Sequence, residues 1–357
     1  MAKDRAYQVK IGKGVGDISE ETLKFYAQIG VEELSIPTRF RERTGTEPTT
    51  RRLVPRTQTG PRGAQGEPWD EAEMQRVAER VQAFGLNPVM TSLGLSGNIL
   101  MGKPGRDEDL EVVKANIETA GRVGLRVMNY GFTALRPSEG YRALYGEGRG
   151  QADYRDFDYD RIKDLPPYDS VGTIDLDTMW DNIAYFLKAV IPTAEAAGVK
   201  LAAHPNDPPV PVYRGVAQPL GDMDGMKQLI EVVDSPSNCV FFDTGVTTEK
   251  GEDAVEMIRY FGSRSRIGTV HFRNVQVEVP RFKYVETFHD SGACDMFACV
   301  QAFFEVGYDG MLDPDHTPGI EGDTADTKVG WAFAIGQMIA MRNAVERGGI
   351  AEGREGF

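Results

Sequence analysis

Short apolar runs alternate along the chain with longer segments in which apolar residues recur every three or four positions. The short runs are typical of strands in a buried parallel sheet, and the long segments are typical of helices that pack on it. Strands are predicted at 7–11, 32–36, 87–92, 125–130, 199–204, 238–243, 267–272 and 310–313. Helices are predicted at 19–29, 69–84, 107–122, 176–198, 221–234, 251–262, 294–306 and 328–347.

Eight strand–helix units in strict alternation predict an α/β fold of the (β/α)8 (TIM) barrel type, whose active site lies on the loops that follow the strands. The alternative is an open doubly wound sheet, which carries a GxGxxG sequence after its first strand. Gly12, Gly14 and Gly16 follow the first predicted strand, but their spacing matches that pattern poorly. We therefore predict a single barrel domain over residues 1–357.

Three connections are too long to be simple turns and follow predicted strands, at 37–68, 133–175 and 275–293. Long connections at this end of a barrel are usually lids or binding loops, so we expect insertions at the carboxyl-terminal face. The first contains seven arginines: Arg39, Arg41, Arg43, Arg51, Arg52, Arg56 and Arg62. This positive segment either attracts an anionic substrate or pairs with the acidic surface of another subunit.

The whole chain is acidic, with 40 Lys and Arg against 54 Asp and Glu and a formal net charge of −14. This balance argues against nucleic acid or an anionic membrane as a partner. The three cysteines, Cys239, Cys294 and Cys299, show no paired spacing, which is typical of a reducing compartment. The amino terminus has no secretory signal pattern, and no apolar run is long enough to span a bilayer. We expect a cytoplasmic protein that forms a homo-oligomer.

Histidines and aspartates stand at the ends of the last four predicted strands. His204, Asp243, His271 and Asp315 come from strands five to eight in that order. Carboxyl ends of neighbouring barrel strands converge, so the four side chains predict one metal site. Two imidazoles and two carboxylates suit Mn²⁺, Mg²⁺ or Fe²⁺, with Zn²⁺ as a further alternative. A turn-forming role for Asp243 before Thr-Gly is the structural alternative.

Three polar residues adjoin these predicted ligands. Neighbouring side chains diverge at a strand end, so His316 is expected to present an imidazole beside the ion, suited to proton transfer. Arg273 and Asn274 follow His271 directly and either hold substrate carboxylate and hydroxyl groups or anchor a loop.

Four stretches of the chain resemble the mannonate dehydratases, which are xylose-isomerase-like barrels. They are IPTAEAAGVKLAAHPNDPP at 191–209, HFRNVQVE at 271–278, ETFHDSGACDM at 286–296 and PDH at 314–316, with a weaker match at 102–132. The resemblance covers about residues 86–345. It implies a divalent ion, typically Mn²⁺, held by His204, Asp243, His271 and Asp315.

The same resemblance implies a reaction and roles for further residues. The family removes water from D-mannonate to give 2-keto-3-deoxygluconate, with an acid/base histidine that falls on His316. We add Arg273 as a second catalytic group. Four residues that stand in or beside these motifs are predicted to contact the sugar-acid substrate: Asn274, His289, Asn206 and Tyr130.

The chain departs from the family pattern at three places. Asp243 stands where the family has a cysteine ligand, which gives a harder donor set. Trp331 stands where the family has a tyrosine, and an indole cannot accept a proton at neutral pH. The family's YNFMP is YGFTA at 130–134. Two alternatives therefore stay open, a metal-dependent isomerase or epimerase of a neutral sugar and a barrel that binds a sugar acid without catalysis.

Overall fold

Eight parallel strands close into a barrel in the computed structural model, which describes residues 9–40 and 63–351. Around the barrel the strand order is β1-β14-β11-β10-β7-β4-β3-β2, and the remaining strands form two small antiparallel sheets. The strands are β1 (Lys10–Gly14), β2 (Glu33–Ser35), β3 (Asn87–Ser92), β4 (Val127–Gly131), β5 (Tyr141–Leu144), β6 (Tyr154–Asp158), β7 (Lys200–His204), β8 (Val212–Tyr213), β9 (Val216–Ala217), β10 (Asn238–Asp243), β11 (Ile267–His271), β12 (Val275–Val279), β13 (Lys283–Glu286) and β14 (Met311–Asp313). The predicted barrel is confirmed.

Helices follow the barrel strands and pack on their outer faces. They are α1 (Glu20–Gln28), α2 (Glu71–Gln82), α3 (Gly97–Met101), α4 (Arg106–Val123), α5 (Leu176–Ala197), α6 (Met223–Val232), α7 (Thr244–Glu249), α8 (Ala254–Gly262), α9 (Met296–Glu305) and α10 (Lys328–Ala351). The eight predicted helices are present with ends shifted by a few residues, whereas α3 and α7 are additional. With five and six residues, these two are too short to show a helical period in the sequence.

Local chemistry sets several helix ends. Asp175 begins α5 by accepting a hydrogen bond from the Thr178 amide at 2.8 Å, and Ser19 caps α1 in the same way through the Thr22 amide. Gly198 ends α5 with φ +68°, a left-handed conformation that glycine adopts without steric cost. None of the helices within 9–40 and 63–351 is both long enough and apolar enough to cross a membrane.

The second and third long connections pair with each other. Strands β5 and β6, from 133–175, join β12 and β13, from 275–293, in a sheet of order β12-β13-β6-β5. The aromatic rings of Phe157 and Tyr284 stack in its buried face with centroids 5.3 Å apart. The sequence predicted these segments as connections without strands. The four strands were not predicted, because pairing between segments more than 100 residues apart leaves no local signal.

Most of the first long connection, residues 41–62, lies outside the described residues. Six of the seven arginines of the predicted positive segment therefore lie outside as well, and only Arg39 is described, as an exposed side chain. The prediction that 1–357 form one domain stays a prediction.

Candidate active site

Three of the four predicted metal ligands converge at the carboxyl end of the barrel. His204, Asp243 and His271 are the last residues of β7, β10 and β11, and Asp243 lies directly opposite His271 in the strand register. His204 Nε2 lies 3.2 Å from His271 Nδ1, and Asp243 Oδ2 lies 3.3 Å from His271 Nδ1 and 3.7 Å from His204 Nε2. Parallel strands of one barrel bring these atoms together although 67 residues separate the two histidines.

The spacing of these atoms fits a bound ion. Metal–ligand bonds of about 2.1 Å that meet at roughly 90–110° place neighbouring ligand atoms about 3.0–3.4 Å apart. The two distances from His271 Nδ1 lie in this range, and the third, 3.7 Å between His204 Nε2 and Asp243 Oδ2, is slightly longer. All three ligand atoms lie within 4.8 Å of one another, and the Asp243 side chain is entirely buried. Two imidazoles and a carboxylate form a donor set suited to a first-row divalent cation.

Asp315, the fourth predicted ligand, occupies a different position. Its Oδ1 lies 3.5 Å from Nε2 of His271, the ring nitrogen opposite the one that faces His204 and Asp243. Asp315 stands two residues beyond β14 with φ +57°, and its amide donates to Asp313 Oδ1 at 2.9 Å. The structure thus places Asp315 at the edge of the three-atom cluster, and its role as a ligand stays a prediction.

A buried arginine lies beneath the cluster. Arg273 Nε is 3.1 Å from Asp243 Oδ2 and 3.3 Å from Asp315 Oδ2, while its Nη1 is 2.8 Å from Glu249 Oε1. The Arg273 side chain is only 1% exposed and does not line the cavity described next. Its contacts are to carboxylates of the site, and the catalytic role predicted for it from the sequence stays a prediction.

A cavity of about 490 Å³ opens above the cluster. His204, His271 and Asp315 form part of its lining, and the loops that follow β4, β7 and β14 supply most of the rest. The complete lining is Asn129, Gly131, Phe132, Thr133, Arg136, Pro137, Arg155, His204, Pro205, Asn206, Asp207, Gln218, His271, Asp315 and His316. Polar and charged side chains predominate, which suits a small polar ligand.

His316 faces this cavity beside two carboxylates. Its Nε2 lies 3.3 Å from Glu286 Oε1 and 3.3 Å from Asp315 Oδ2. Glu286 is in turn held by Arg155, which donates to both of its carboxylate oxygens. An imidazole within ion-pair distance of two carboxylates at the rim of a candidate metal site is suited to proton transfer.

Comparison with known proteins assigns the family. The family model described as D-mannonate dehydratase (UxuA) matches residues 153–348. A mannonate dehydratase of Thermotoga petrophila is 30% identical over 322 residues, 79% of this chain and 89% of that protein. The chain belongs to the D-mannonate dehydratase family. The predicted enzyme class, a hydro-lyase acting on a sugar acid, is thereby confirmed.

Solved structures agree on the fold of this dehydratase-family chain. The crystal structure of mannonate dehydratase from Streptococcus suis serotype2 superposes with a TM-score of 0.78 at 24% identity and covers 96% of both chains. A xylose isomerase domain protein from Planctomyces limnophilus gives 0.58 at 13% identity, covering 95% of this chain and 99% of that one. Both are TIM barrels in the sense predicted from the sequence.

The four predicted substrate contacts lie in different surroundings. Asn206 lines the cavity, although its Oδ1 accepts from the Leu220 amide at 2.7 Å. Asn274 is buried outside the cavity and clamps a loop through the backbone of His289 and Cys294. Tyr130 lies in the core against Phe186. Of these four, the structure brings only Asn206 to the cavity wall.

His289 is also buried, with 1% of its surface exposed. Burial, together with the charge of His316, lowers the pKa of His289 to about 4, so its ring is neutral near pH 7. It does not line the cavity.

Several charged residues of this dehydratase-family site were not predicted from the sequence: Arg136, Arg155, Asp207, Glu249 and Glu286. A sequence signal for Asp207 does exist, because this residue stands in HPNDPP three residues after His204. The others come from the insertions and from α7, where nothing in the sequence marks them as neighbours of the strand ends.

Burial and neighbouring charges shift the pKa values of three titratable groups in the site. Burial raises the pKa of Asp243, but Arg273 and His271 outweigh it and lower that pKa overall. Burial likewise opposes ionisation of Glu286, yet Arg155 and His316 bring its pKa down to about 2. Burial and the neighbouring His271 lower the pKa of His204, which favours the neutral imidazole that a metal ligand must be.

Trp331, one of the predicted departures from the family pattern, lies against a lysine. Its ring lies 4.2 Å from the ammonium of Lys13, a cation–π distance. Lys13 in turn donates to Asp313 Oδ1 at 2.9 Å, the oxygen that also accepts the Asp315 amide. The indole thus supports the turn that carries Asp315 and His316.

Proposed function

We propose that the protein catalyses the metal-dependent dehydration of D-mannonate to 2-keto-3-deoxygluconate and water. The observation that carries the proposal is the convergence of His204, Asp243 and His271 at the floor of a cavity whose rim holds His316. The family model and the Thermotoga petrophila relative, both named for mannonate dehydration, support the choice of substrate.

The proposed cofactor is one divalent ion held by His204, Asp243 and His271, with Asp315 as the further ligand. Mn²⁺ is the first choice, and Mg²⁺, Fe²⁺ and Zn²⁺ are alternatives. When bound, such an ion stabilises the negative charge that develops on the substrate carboxylate as the neighbouring carbon loses its proton.

The side chains of the cavity supply the other parts of the reaction. Arg136 and Arg155 line the wall and present guanidinium groups suited to a carboxylate. His316, whose Nε2 faces Glu286 and Asp315, is the group that we propose moves a proton. Dehydration breaks the C2–H and C3–O bonds. The proton and the departing hydroxyl leave as water, and the resulting enol converts to the 2-keto acid.

The proposal extends to the setting in which the enzyme acts. We expect a cytoplasmic homo-oligomer that needs neither nucleic acid nor a membrane. The net charge of −14 supports the absence of a polyanionic partner. Sedimentation of the purified protein measures the oligomeric state directly.

The direct test is a product assay with several substrates. Protein stripped with a chelator and reloaded with Mn²⁺ is incubated with D-mannonate, other aldonic acids and neutral aldoses, and the products are identified by mass spectrometry and NMR. We expect 2-keto-3-deoxygluconate from D-mannonate with reloaded protein only. Isomerised neutral sugars without any dehydrated acid would favour the isomerase alternative instead.

A further inference from the structure

Two of the three cysteines lie side by side at the start of α9, outside the active-site cavity. Cys294 Sγ and Cys299 Sγ are 3.5 Å apart. Cys294 is half-buried and reachable from solvent, whereas Cys299 is completely buried. Cys239, the third, is buried in β10 with its Sγ 3.2 Å from the carbonyl oxygen of Pro236.

The position of the pair follows from helix capping. Asp295 is the N-cap of α9, and its side chain accepts from the Ala298 amide at 2.9 Å. Cys294 therefore precedes the cap and Cys299 is the fourth residue of the helix, the two positions whose side chains meet in a hydrophobic staple. Any two apolar residues would serve as a staple, but two thiols in that geometry can also react with each other.

Hydrogen bonds hold the backbone of both cysteines in place. Asn274 accepts from the Cys294 amide and donates to the Cys294 carbonyl, both at 3.0 Å. The Cys299 amide donates to the Asp295 carbonyl at 3.0 Å. A disulfide is about 2.05 Å long, so the sulfur atoms must approach by about 1.5 Å. Disulfide formation requires side-chain rotation to close that distance.

We propose that Cys294 and Cys299 form a reversible dithiol–disulfide pair that reacts with low-molecular-weight disulfides. The Cys294 thiolate attacks one sulfur of the reagent, forming a mixed disulfide and releasing one thiol. Cys299 then attacks Cys294 Sγ, which forms the internal disulfide and releases the second thiol. Two protein thiols are oxidised and one reagent disulfide is reduced to two thiols, so atoms and electrons balance.

The order of attack follows from the surroundings of the two sulfurs. The hydrogen bond from Cys299 lowers the pKa of Cys294 and raises that of Cys299. Cys294 is also the more exposed of the two. Nucleophilic attack by a cysteine requires the thiolate and access to the reagent, so Cys294 reacts first. This modification site is independent of the proposed dehydratase activity, since neither cysteine lines the cavity.

The experiment treats the full-length, metal-loaded protein with oxidised glutathione, quenches with acid, and maps tryptic peptides by mass spectrometry. Cys294 and Cys299 share the peptide 284–328, whereas Cys239 lies in 228–250. We expect the peptide 284–328 to lose the mass of two hydrogen atoms and the count of free thiols after denaturation to fall from three to one. A reductant restores all three.

Serine variants distinguish disulfide formation between Cys294 and Cys299 from the modification of single cysteines. In Cys299→Ser, Cys294 is expected to keep a stable glutathionyl group, and in Cys294→Ser neither remaining cysteine reacts. Cys239→Ser is the matched control and still forms the internal disulfide. Three unmodified thiols in the wild type, or a glutathionyl adduct that persists at Cys294 in the wild type, would show that the pair is only a packing contact and overturn the proposal.

Discussion

Arg273 Nη1 lies 2.8 Å from Glu249 Oε1, and at most 1% of either side chain is exposed. The same guanidinium contacts Asp243 and Asp315, so one buried cation links α7 to the ends of two barrel strands. Burial among these carboxylates raises the pKa of Glu249, while Arg273 opposes the rise. Arg273 thus supplies a buried positive charge to three carboxylates at the carboxyl end of the barrel.

Replacing this arginine should destabilise the whole protein. Arg273→Met leaves several buried carboxylates without a counter-charge, and breaking a buried ion pair costs about 3–5 kcal/mol. We expect a loss of that order in the free energy of unfolding, measured by urea denaturation. Arg259→Met is the control, because Arg259 pairs with Glu305 at the surface, where solvent screens the ion pair and its loss should change stability little. Equal losses in the two variants would contradict the supporting role of Arg273.

Gly245 is the close neighbour of that guanidinium. A Cβ at Gly245 would lie 2.7 Å from Arg273 Nη1 and 2.8 Å from its Cζ. Gly245→Ala should therefore displace Arg273, lower the activity and destabilise the fold by about 1–3 kcal/mol. Gly336→Ala, at an exposed position of α10 with open space, should be neutral or stabilise by up to about 1 kcal/mol. Full activity and stability in Gly245→Ala would show that Arg273 has room to move.

Loss of a cluster histidine should abolish metal retention. His204→Ala removes one of the three convergent donor atoms, and elemental analysis after dialysis is expected to find a divalent ion in the wild type and little in the variant. Asp315→Ala tests the fourth predicted ligand in the same way. Equal metal content in the wild type and His204→Ala would mean that the ion binds elsewhere.

His316→Asn should separate chemistry from metal binding. The variant keeps the three convergent donors but replaces the imidazole with an amide, which does not act as an acid or a base. We expect an unchanged metal content and a kcat lower by about 10²–10⁴-fold, the usual contribution of a general acid or base. A kcat within a few-fold of the wild type would remove His316 from proton transfer.

Glu286 should make stability depend on pH in the acid range. Its folded pKa of about 2 lies below the value of about 4.3 of an unfolded chain. The stabilisation is therefore complete above about pH 4.3 and is lost as the pH falls through about 2. The Glu286→Gln variant should be less stable than the wild type at pH 6. Between pH 6 and pH 3 its urea midpoint should fall less steeply than that of the wild type, because the variant has no carboxylate to protonate at this position. Glu231→Gln, at an exposed position, should retain the wild-type slope.

Much of this site could be predicted from the sequence, because residues at the carboxyl ends of barrel strands always lie at the same face of the barrel. His204, Asp243 and His271 each end a strand of the predicted type, and parallel strands bring such ends to one mouth. The motifs, combined with the positions of the strand ends, were therefore enough to predict that these three donor groups lie close together. Asp315 was predicted by the same rule, but it stands beyond the end of β14 in a left-handed conformation, where the rule no longer fixes the direction of a side chain.

Other parts of the site depended on contacts that no local pattern encodes. Arg155 meets Glu286 across 131 residues, through pairing of two insertions that look like loops in the sequence. Asn274 and Tyr130 were selected from motifs, yet packing turned one toward a loop and the other into the core. Arg273 follows a cluster ligand by two residues, and only the packed structure reveals the carboxylates that surround it.

The sequence by itself determined the barrel, the dehydratase family and the three strand ends that carry donor atoms, because hydrophobic period and motif spacing are local properties of the chain. Tertiary structure decided which charges are buried, which arginines line the cavity and where Asp315 lies. Those outcomes depend on how distant segments pack, since the electrostatic environment of a group is set by neighbours in space and not by neighbours in sequence.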